Sequence, residues 1–264
     1  MTWVKLSNLP NAQLRLSPTS DIVFWQVIDG CVLHQGRKIK KADCTSFEVL
    51  EGHNFIARDK NFIFDAWNPV NKAIDRNTFQ ELGNGYFVDR NVAYFDYEAS
   101  LKPLKGATNR DFQVLGNGYA RDATYGYYYG RVIRKCERPM ALQQIDPSRL
   151  LADSSRSCAV SMVTDGERVF FEAAELKGAD PETWREIGRG YSKDAKSIYC
   201  GSQKLGGATP DNWRMIENHY STNGVKVYVM GWALENADLA TFEILPDGSC
   251  RDQYSTFSGK KRTI

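Results

Sequence analysis

Lys193-Asp194-Ala195-Lys196-Ser197-Ile198-Tyr199-Cys200-Gly201, then Leu205-Gly206-Gly207-Ala208, then Asp211-Asn212-Trp213-Arg214-Met215-Ile216, is a stretch that the chain restates in variant form along its length. Its anchor, Asp194, has counterparts at Asp29, Asp59, Asp89, Asp122, Asp165, Asn223 and Asp252, spaced 30, 30, 33, 43, 29, 29 and 29 residues apart. Five residues past an anchor stands an aromatic: Phe64, Tyr94, Tyr127, Phe170, Tyr199, Tyr228 and Phe257. A second aromatic follows later, at Phe47, Phe79, Phe112, Trp184, Trp213 and Phe242, and then an aliphatic, at Leu50, Leu82, Leu115, Ile187, Ile216 and Leu245. Several units close on Gly-x-Gly-Tyr, as in Gly83-Asn84-Gly85-Tyr86, Gly116-Asn117-Gly118-Tyr119 and Gly188-Arg189-Gly190-Tyr191. Self-similarity at this period is the signature of a repeat architecture, in which each unit buries its apolar face only against its neighbours.

Each part has a local physical reading. An Asp before Lys-Asn or Gly can accept from its own backbone two residues on and so starts a tight turn, and the flanking runs are rich in Tyr, Phe, Val and Ile. Strand–turn–strand follows. In Ala179-Asp180-Pro181-Glu182-Thr183-Trp184 the Asp suits an N-cap, the Pro a first helical position and the Glu the positive helix end. A short helical turn is expected there, with Trp184 and Ile187 on one face. The glycine pairs supply positive φ where the chain turns into the next strand. The fold class is therefore mainly β with short helices, built from tandem repeats of about 30 residues, each a hairpin plus a helical turn, in a solenoid-like or closed body. Residues 1–133 hold units 1–4 with a lead-in, 134–160 an irregular insertion or connector, and 161–264 units 5–8, all in one continuous repeat domain with Asp252 opening a final half unit.

With 42% hydrophobic and 12% aromatic residues, 264 residues can bury a sizeable core. A formal charge of only +2 gives no global field that singles out nucleic acid. No run reaches the roughly 20 apolar residues needed to cross a bilayer, and residues 1–26 carry Lys5 and Arg15 with no uninterrupted apolar core, so a cytoplasmic location is expected. The six cysteines form no C-x-x-C pair and read as reduced, packed thiols, with Cys136 and Cys158 as the pair to test for a bridge. His34, His53 and His219 occupy different repeat positions without ligand spacing, so no metal and no cofactor is expected. The recurring Asp-x-Asn lacks the glycine and glutamate of a calcium loop, and no catalytic set is recognisable.

The register fails at the 43-residue spacing, where residues 131–160 carry six bases against three acids. Insertions in repeat proteins commonly project from the binding face, although a plain connector reads the same way. Elsewhere, residues 233–250 hold four acids and no base, and residues 165–186 seven acids against three bases; such strips either steer a basic partner or are ordinary solvated surface. The run Tyr125-Gly126-Tyr127-Tyr128-Tyr129 alternates in a strand, leaving a ring either exposed as an interface anchor or packed between units. Candidate partner-binding residues are accordingly Tyr127, Tyr128, Tyr129, Arg131, Arg134, Lys135, Arg138, Glu235, Asp238 and Glu243.

Asp59-Lys60-Asn61-Phe62-Ile63-Phe64, with Leu176-Lys177-Gly178-Ala179-Asp180 and Val114-Leu115-Gly116-Asn117-Gly118-Tyr119-Ala120, resembles the DKNYY repeat family of bacterial proteins over roughly residues 20–260. The chain departs from that pattern at 134–160 and at Thr222-Asn223-Gly224. The family has no settled activity, so the resemblance implies no catalytic residues. Similar proteins lie beside secreted bacterial toxins, type VI effectors among them. The resemblance therefore implies a non-enzymatic immunity protein whose partner is a cognate toxin, with a nuclease the expected class. A carbohydrate- or surface-binding repeat module is the alternative reading.

Overall fold

The computed structural model describes residues 2–17, 19–66, 68–69, 74–97, 100–150, 162–217, 219–258 and 261–263. The chain divides into two compact units, residues 1–124 and 125–264. Both are built from short antiparallel strands that follow one another as meanders. In the first unit one sheet runs Gln13–Arg15, Val23–Ile28, Cys31–His34, Arg37–Lys38. The next runs Glu48–Leu50, Ile56–Arg58, Ile63–Asp65, Asn68–Pro69, with Trp3–Lys5 added beside its first strand, and a third runs Gln80–Gly83, Tyr86–Val88, Ala93–Asp96, Leu101–Pro103. The pair Gln113–Gly116 and Tyr119–Arg121 follows. The second unit opens on Gly126–Tyr128 and Arg131–Val132. It continues with Gln143–Gln144, Met162–Thr164, Val169–Phe171, Ala174–Glu175, and then with three further meanders over 185–204, 214–233 and 243–263. Small separate sheets are what form, and neither one continuous solenoid sheet nor a closed barrel is among those described.

The expected short helices are absent. Among the described residues the helical elements are single 3₁₀ turns, at Leu6–Asn8, Pro10–Ala12, Pro139–Ala141 and Pro147–Arg149. At 180–184 the Asp caps as foreseen, accepting from the Glu182 N–H at 2.9 Å, and the Trp184 N–H reaches the Asp180 carbonyl at 2.9 Å. That one turn is not continued. Arg185 already pairs with Lys193 in the next hairpin, and the Thr183 hydroxyl accepts from the Ala195 N–H at 3.1 Å. Strand pairing overrides a weak local helical preference.

The anchors are the organising polar groups. Asp89 is fully buried; its Oδ1 accepts from the N–H groups of Asn91 and Val92, both at 2.8 Å, and its Oδ2 from the Asp75 N–H and the Tyr94 hydroxyl, both at 2.9 Å. Asp194 repeats the set with Lys196, Ser197, Asp180 and Tyr199, while Asp59 and Asp252 keep its three backbone donors. One carboxylate thus closes its own turn and clips the turn fourteen residues upstream in the Asp89, Asp194 and Asp252 units. A hydroxyl completes the clip: Ser46, Thr78, Thr183 and Thr241 each accept from the N–H just after an anchor. Asp29 does not belong to this set. It is exposed, at φ 49° in a two-residue turn between Ile28 and Cys31, and the residue five further on is the buried His34.

The Gly-x-Gly-Tyr segments are hairpin tips. Asn84 and Gly85 have φ of 53° and 79°, the backbone of a type I′ turn, after a bulge between Glu81 and Gly83. The tyrosine then ties its repeat to the next: the Tyr86 hydroxyl donates to the Gly118 carbonyl at 2.9 Å, and Tyr191 and Tyr220 donate likewise to His219 and Gly248. The aromatic before each first strand packs on the same tyrosine, with ring centroids 5.7 Å apart for Tyr86–Phe112, 5.1 Å for Tyr191–Trp213 and 5.6 Å for Tyr220–Phe242. Fully burying such a ring is worth roughly 1.5–3 kcal/mol, so these contacts between repeats carry much of the stability.

Asp65 is placed against this pattern. Burial lifts its carboxyl to about 6, with Asp96 adding to the rise and the Leu101 N–H and Lys102 opposing it. Its Oδ1 is buried without a partner. The unfolded chain titrates near 3.8, so the folded state binds the additional proton between the two values, and stability falls as pH rises from about 4 to about 6. Asp65→Asn is expected to flatten that slope and to raise stability at neutral pH by about 1 kcal/mol, allowing for partial exposure. Thermal melts of both proteins across this pH window measure it; parallel curves would refute the assignment.

Candidate partner-binding face

The second unit carries a row of hairpin tips between its third and fourth strands. In the first of them Tyr128 pairs with Arg131 across a two-residue turn, and Tyr129 takes φ 43°. A side chain held there is forced outward, and Tyr129 is 49% exposed. The equivalent tip at 229–232 places Met230 at φ 47° and 61% exposed, with Trp232 49% exposed beside it. The three tips that follow the Tyr129 tip lie close to one another: a methyl group on Gly231 would stand 2.7 Å from Cys200 Cβ, and one on Gly201 3.7 Å from the Phe171 ring. The row is therefore set by the stacking of sheets and not by loop flexibility.

The ten nominated residues separate on this frame. Tyr127 points inward and is fully buried, whereas Tyr128 is half-buried with its ring 4.8 Å edge-on from Tyr129. Arg131, Arg134 and Lys135 are exposed near the same tip. Arg138 meets Glu167 at 3.1 Å, Arg168 meets Glu137 at 2.9 Å, and Arg168 also donates to the Lys135 carbonyl. The basic stretch and the acidic strip at 165–186 are in part each other's counter-charge. Asp238 is a clip residue and not a free carboxylate: it accepts from the Ala240 N–H, the Thr241 hydroxyl and the Gln253 amide, and the last of these leads in holding its carboxyl below the ordinary value. Glu243 pairs with Arg251 across its strand at 2.9 Å, and Glu235 is exposed in a turn.

Met230 and Trp232 escaped the sequence reading, although aligning Met230-Gly231 with Tyr129-Gly130 would have exposed them. The stretch 134–160, expected as an irregular insertion or connector, contains a regular strand. Gln143–Gln144 is a regular first strand, pairing with Thr164 and Val163, and Leu142, fully buried, fills the position held elsewhere by Phe or Trp. The extra length lies after it, between Gln144 and Met162. The nearby Asp165 accepts from the Glu167 and Arg168 N–H groups, but its buried Oδ2 has no partner, Phe170 standing where other units place a tyrosine hydroxyl. Residues 151–161, with Cys158, lie outside the described residues, and so does the suggested Cys136–Cys158 pair. Burial pushes the Cys136 thiol up to about 11.

Buried His34 stands 4.4 Å from the Trp25 ring, His53 meets Glu81 at 3.0 Å, and the His219 carbonyl accepts from Tyr191. Among the described residues no three His, Cys, Asp or Glu side chains converge as a metal site, and no helix is long and apolar enough to cross a membrane.

Clipped β-meanders joined by tyrosine hydroxyls, with outward tips, define a β-repeat scaffold. The chain belongs to the DKNYY family, whose pattern it matches over residues 25–157 and again, overlapping, over 69–203. No curated protein and no solved structure matches it.

Proposed function

We propose that this chain is a non-catalytic protein-binding protein: a cytoplasmic immunity protein that neutralises a cognate bacterial toxin, a type VI effector or similar of the nuclease class, by covering its active site. Nucleic acid and membrane are not its direct targets in this reading. The observation that supports it is the row of tips bearing Tyr129, Met230 and Trp232 on a scaffold that fixes their positions. Large, partly exposed aromatic and thioether side chains held at low entropic cost are what interface anchors require. The repeat supplies the rigidity.

Co-expression with the products of neighbouring genes tests this. A stoichiometric complex that survives high salt, together with protection of cells from an otherwise lethal toxin, is the expected result. Failure to protect against any neighbouring toxin sinks the proposal, and glycan binding that depends on Tyr129 and Trp232 would put a carbohydrate module in its place. Within the complex, Tyr129→Ala and Trp232→Ala are each expected to weaken binding by about 1–2 kcal/mol while leaving the melting temperature nearly unchanged. Titration calorimetry reads the affinity loss directly.

A further inference from the structure

In the hairpins of this repeat, the residue before an anchor stands across from the first residue of the preceding strand, on the same face of the sheet. The register pairs Glu48 with Arg58, Gln113 with Arg121 and Glu243 with Arg251. Each of these arginines is matched there: Arg58 meets Glu48 at 2.6 Å, Arg121 donates to Gln113 at 2.8 Å, and Arg251 meets Glu243 at 2.9 Å. Val88, Thr164 and Thr222 bring no charge to the position. Lys193 breaks the pattern, because the residue opposite it is Arg185. Like charges directly opposed across a strand pair destabilise it, and neither side chain has a hydrogen-bond or ion-pair partner among the described residues. Both line a surface hollow of about 510 Å³ in the second unit, with Arg149, Glu182 and Asp194 among its other walls. Arg149 reaches it from the turn Pro147–Arg149 and is tethered by donating to the Pro181 carbonyl.

We propose that this hollow receives an acidic side chain of a partner protein, an inference that rests on reading the chain as a protein-binding protein. A carboxylate seated between Arg185 and Lys193 turns their repulsion into attraction, as Glu48, Gln113 and Glu243 do from within the sheet in other units. The guanidinium can take it in a two-pronged bond, and the ammonium adds a point charge. The tether on Arg149 reduces the ordering that binding costs. The hollow is not uniformly basic. The Asp194 oxygens are spent on its clip, and Glu182 is exposed in the same lining. Three cations thus face two carboxylates among the described lining residues. That excess suits one acidic side chain better than a phosphodiester chain, whose affinity grows with the number of phosphates neutralised.

The test uses the full chain and a fluorescein-labelled decapeptide with Asp or Glu at alternate positions, beside a matched Ser peptide and inorganic phosphate at constant ionic strength. Saturable binding of the acidic peptide is expected. It should weaken about tenfold in Lys193→Glu and stay within about twofold in Lys177→Glu, an exposed lysine outside the hollow. Lys193→Glu should also raise the melting temperature by about 1–3 °C, since it sets a carboxylate opposite Arg185. Weaker binding with higher stability separates a binding role from a structural one, which would lower both. Arg185→Gln, a pair of the Gln113–Arg121 kind, repeats the comparison at about threefold if charge reversal impairs folding. No peptide binding, equal binding by the parent and these two variants, displacement by equimolar phosphate, or lower melting temperatures in both variants overturns the proposal. A toxin complex that forms although the peptide fails to bind would discard this site alone. Peptide binding by a chain that protects against no toxin would instead discard the immunity reading.

Discussion

Asp89→Ala is expected to destabilise the protein by about 3–5 kcal/mol, the largest effect of any single polar replacement considered. Three backbone N–H groups and the Tyr94 hydroxyl lose their acceptor together. Each buried donor left unsatisfied costs roughly 1–3 kcal/mol, and water entering the alanine-sized gap recovers only part of the sum. Burial pushes this carboxyl up, but the donors of Asp75, Asn91, Val92 and Tyr94 outweigh it and hold it below the ordinary value of 3.8. The stabilisation is therefore complete above that value and is lost as pH falls through the folded one. Asp89→Asn should cost less, about 1–2 kcal/mol, because its amide keeps one accepting oxygen for the turn donors and loses only the other. Urea unfolding at neutral pH measures both. A loss below about 1 kcal/mol for the alanine variant would mean that the turn forms without its carboxylate.

The chain already contains a version of this experiment. At Asn223 the Oδ1 still accepts from the Val225 and Lys226 N–H groups, at 3.1 and 2.7 Å. The upstream donor, Thr209 N–H, instead goes to Asn212 Oδ1 at 2.8 Å, and the Tyr228 hydroxyl turns to the Gly206 carbonyl at 2.7 Å. An amide nitrogen cannot accept, so both donors found other oxygens. A single Asp89→Asn change has no such substitutes prepared.

Gly126→Val is expected to cost about 2–4 kcal/mol, although valine or isoleucine is what other repeats carry there, at Ile63, Val169, Ile198 and Val227. A methyl group on Gly126 would stand 2.8 Å from Leu142 Cδ2 and 3.3 Å from Cys136 Sγ. Leu142, itself fully buried, has taken the space that a β-branched residue fills elsewhere. Leu142→Ala alone should cost about 2–4 kcal/mol through the cavity it leaves. The double variant should then be more stable than the sum of the two losses by at least about 1 kcal/mol, since each change relieves the other. Chemical denaturation of the three variants closes the cycle. Strict additivity would show that Leu142 and Gly126 are not a packed pair.

The two cases show what was legible and what was not. Asp89, Asp194 and Asp252 could be read as turn formers from their neighbours, because Asp-x-x closure is local. Their second role, clipping the N–H fourteen residues upstream, could not, because it joins groups that meet only after the strands between them pair. The helical turn at 180–184 was misread for the same reason: its residues favour a helix, and the hairpin at Arg185 and Lys193 overrides them. Leu142 was missed as the replacement for an aromatic because an aliphatic in an irregular stretch has no period to flag it. The nominated site fared alike. Asp238 looked like free surface charge, yet its oxygens hold Ala240, Thr241 and Gln253. Tyr129 was nominated, yet strand alternation would set it on the face of the buried Tyr127; the turn at positive φ is what turns it outward.

By itself, the sequence determined that this is a β-repeat protein, where its turns lie, and the family to which it belongs. Turn chemistry and alternation act over a few residues, and a period of about 30 makes them visible seven times over. Only the tertiary structure decided which charges are spent and which rings face outward. It set Arg138 against Glu167 and Arg168 against Glu137, buried Tyr127 and left Tyr129, Met230 and Trp232 exposed. Those outcomes depend on pairing and stacking between residues distant in the chain, where burial and counter-charge are properties of the assembled neighbours and not of the residue.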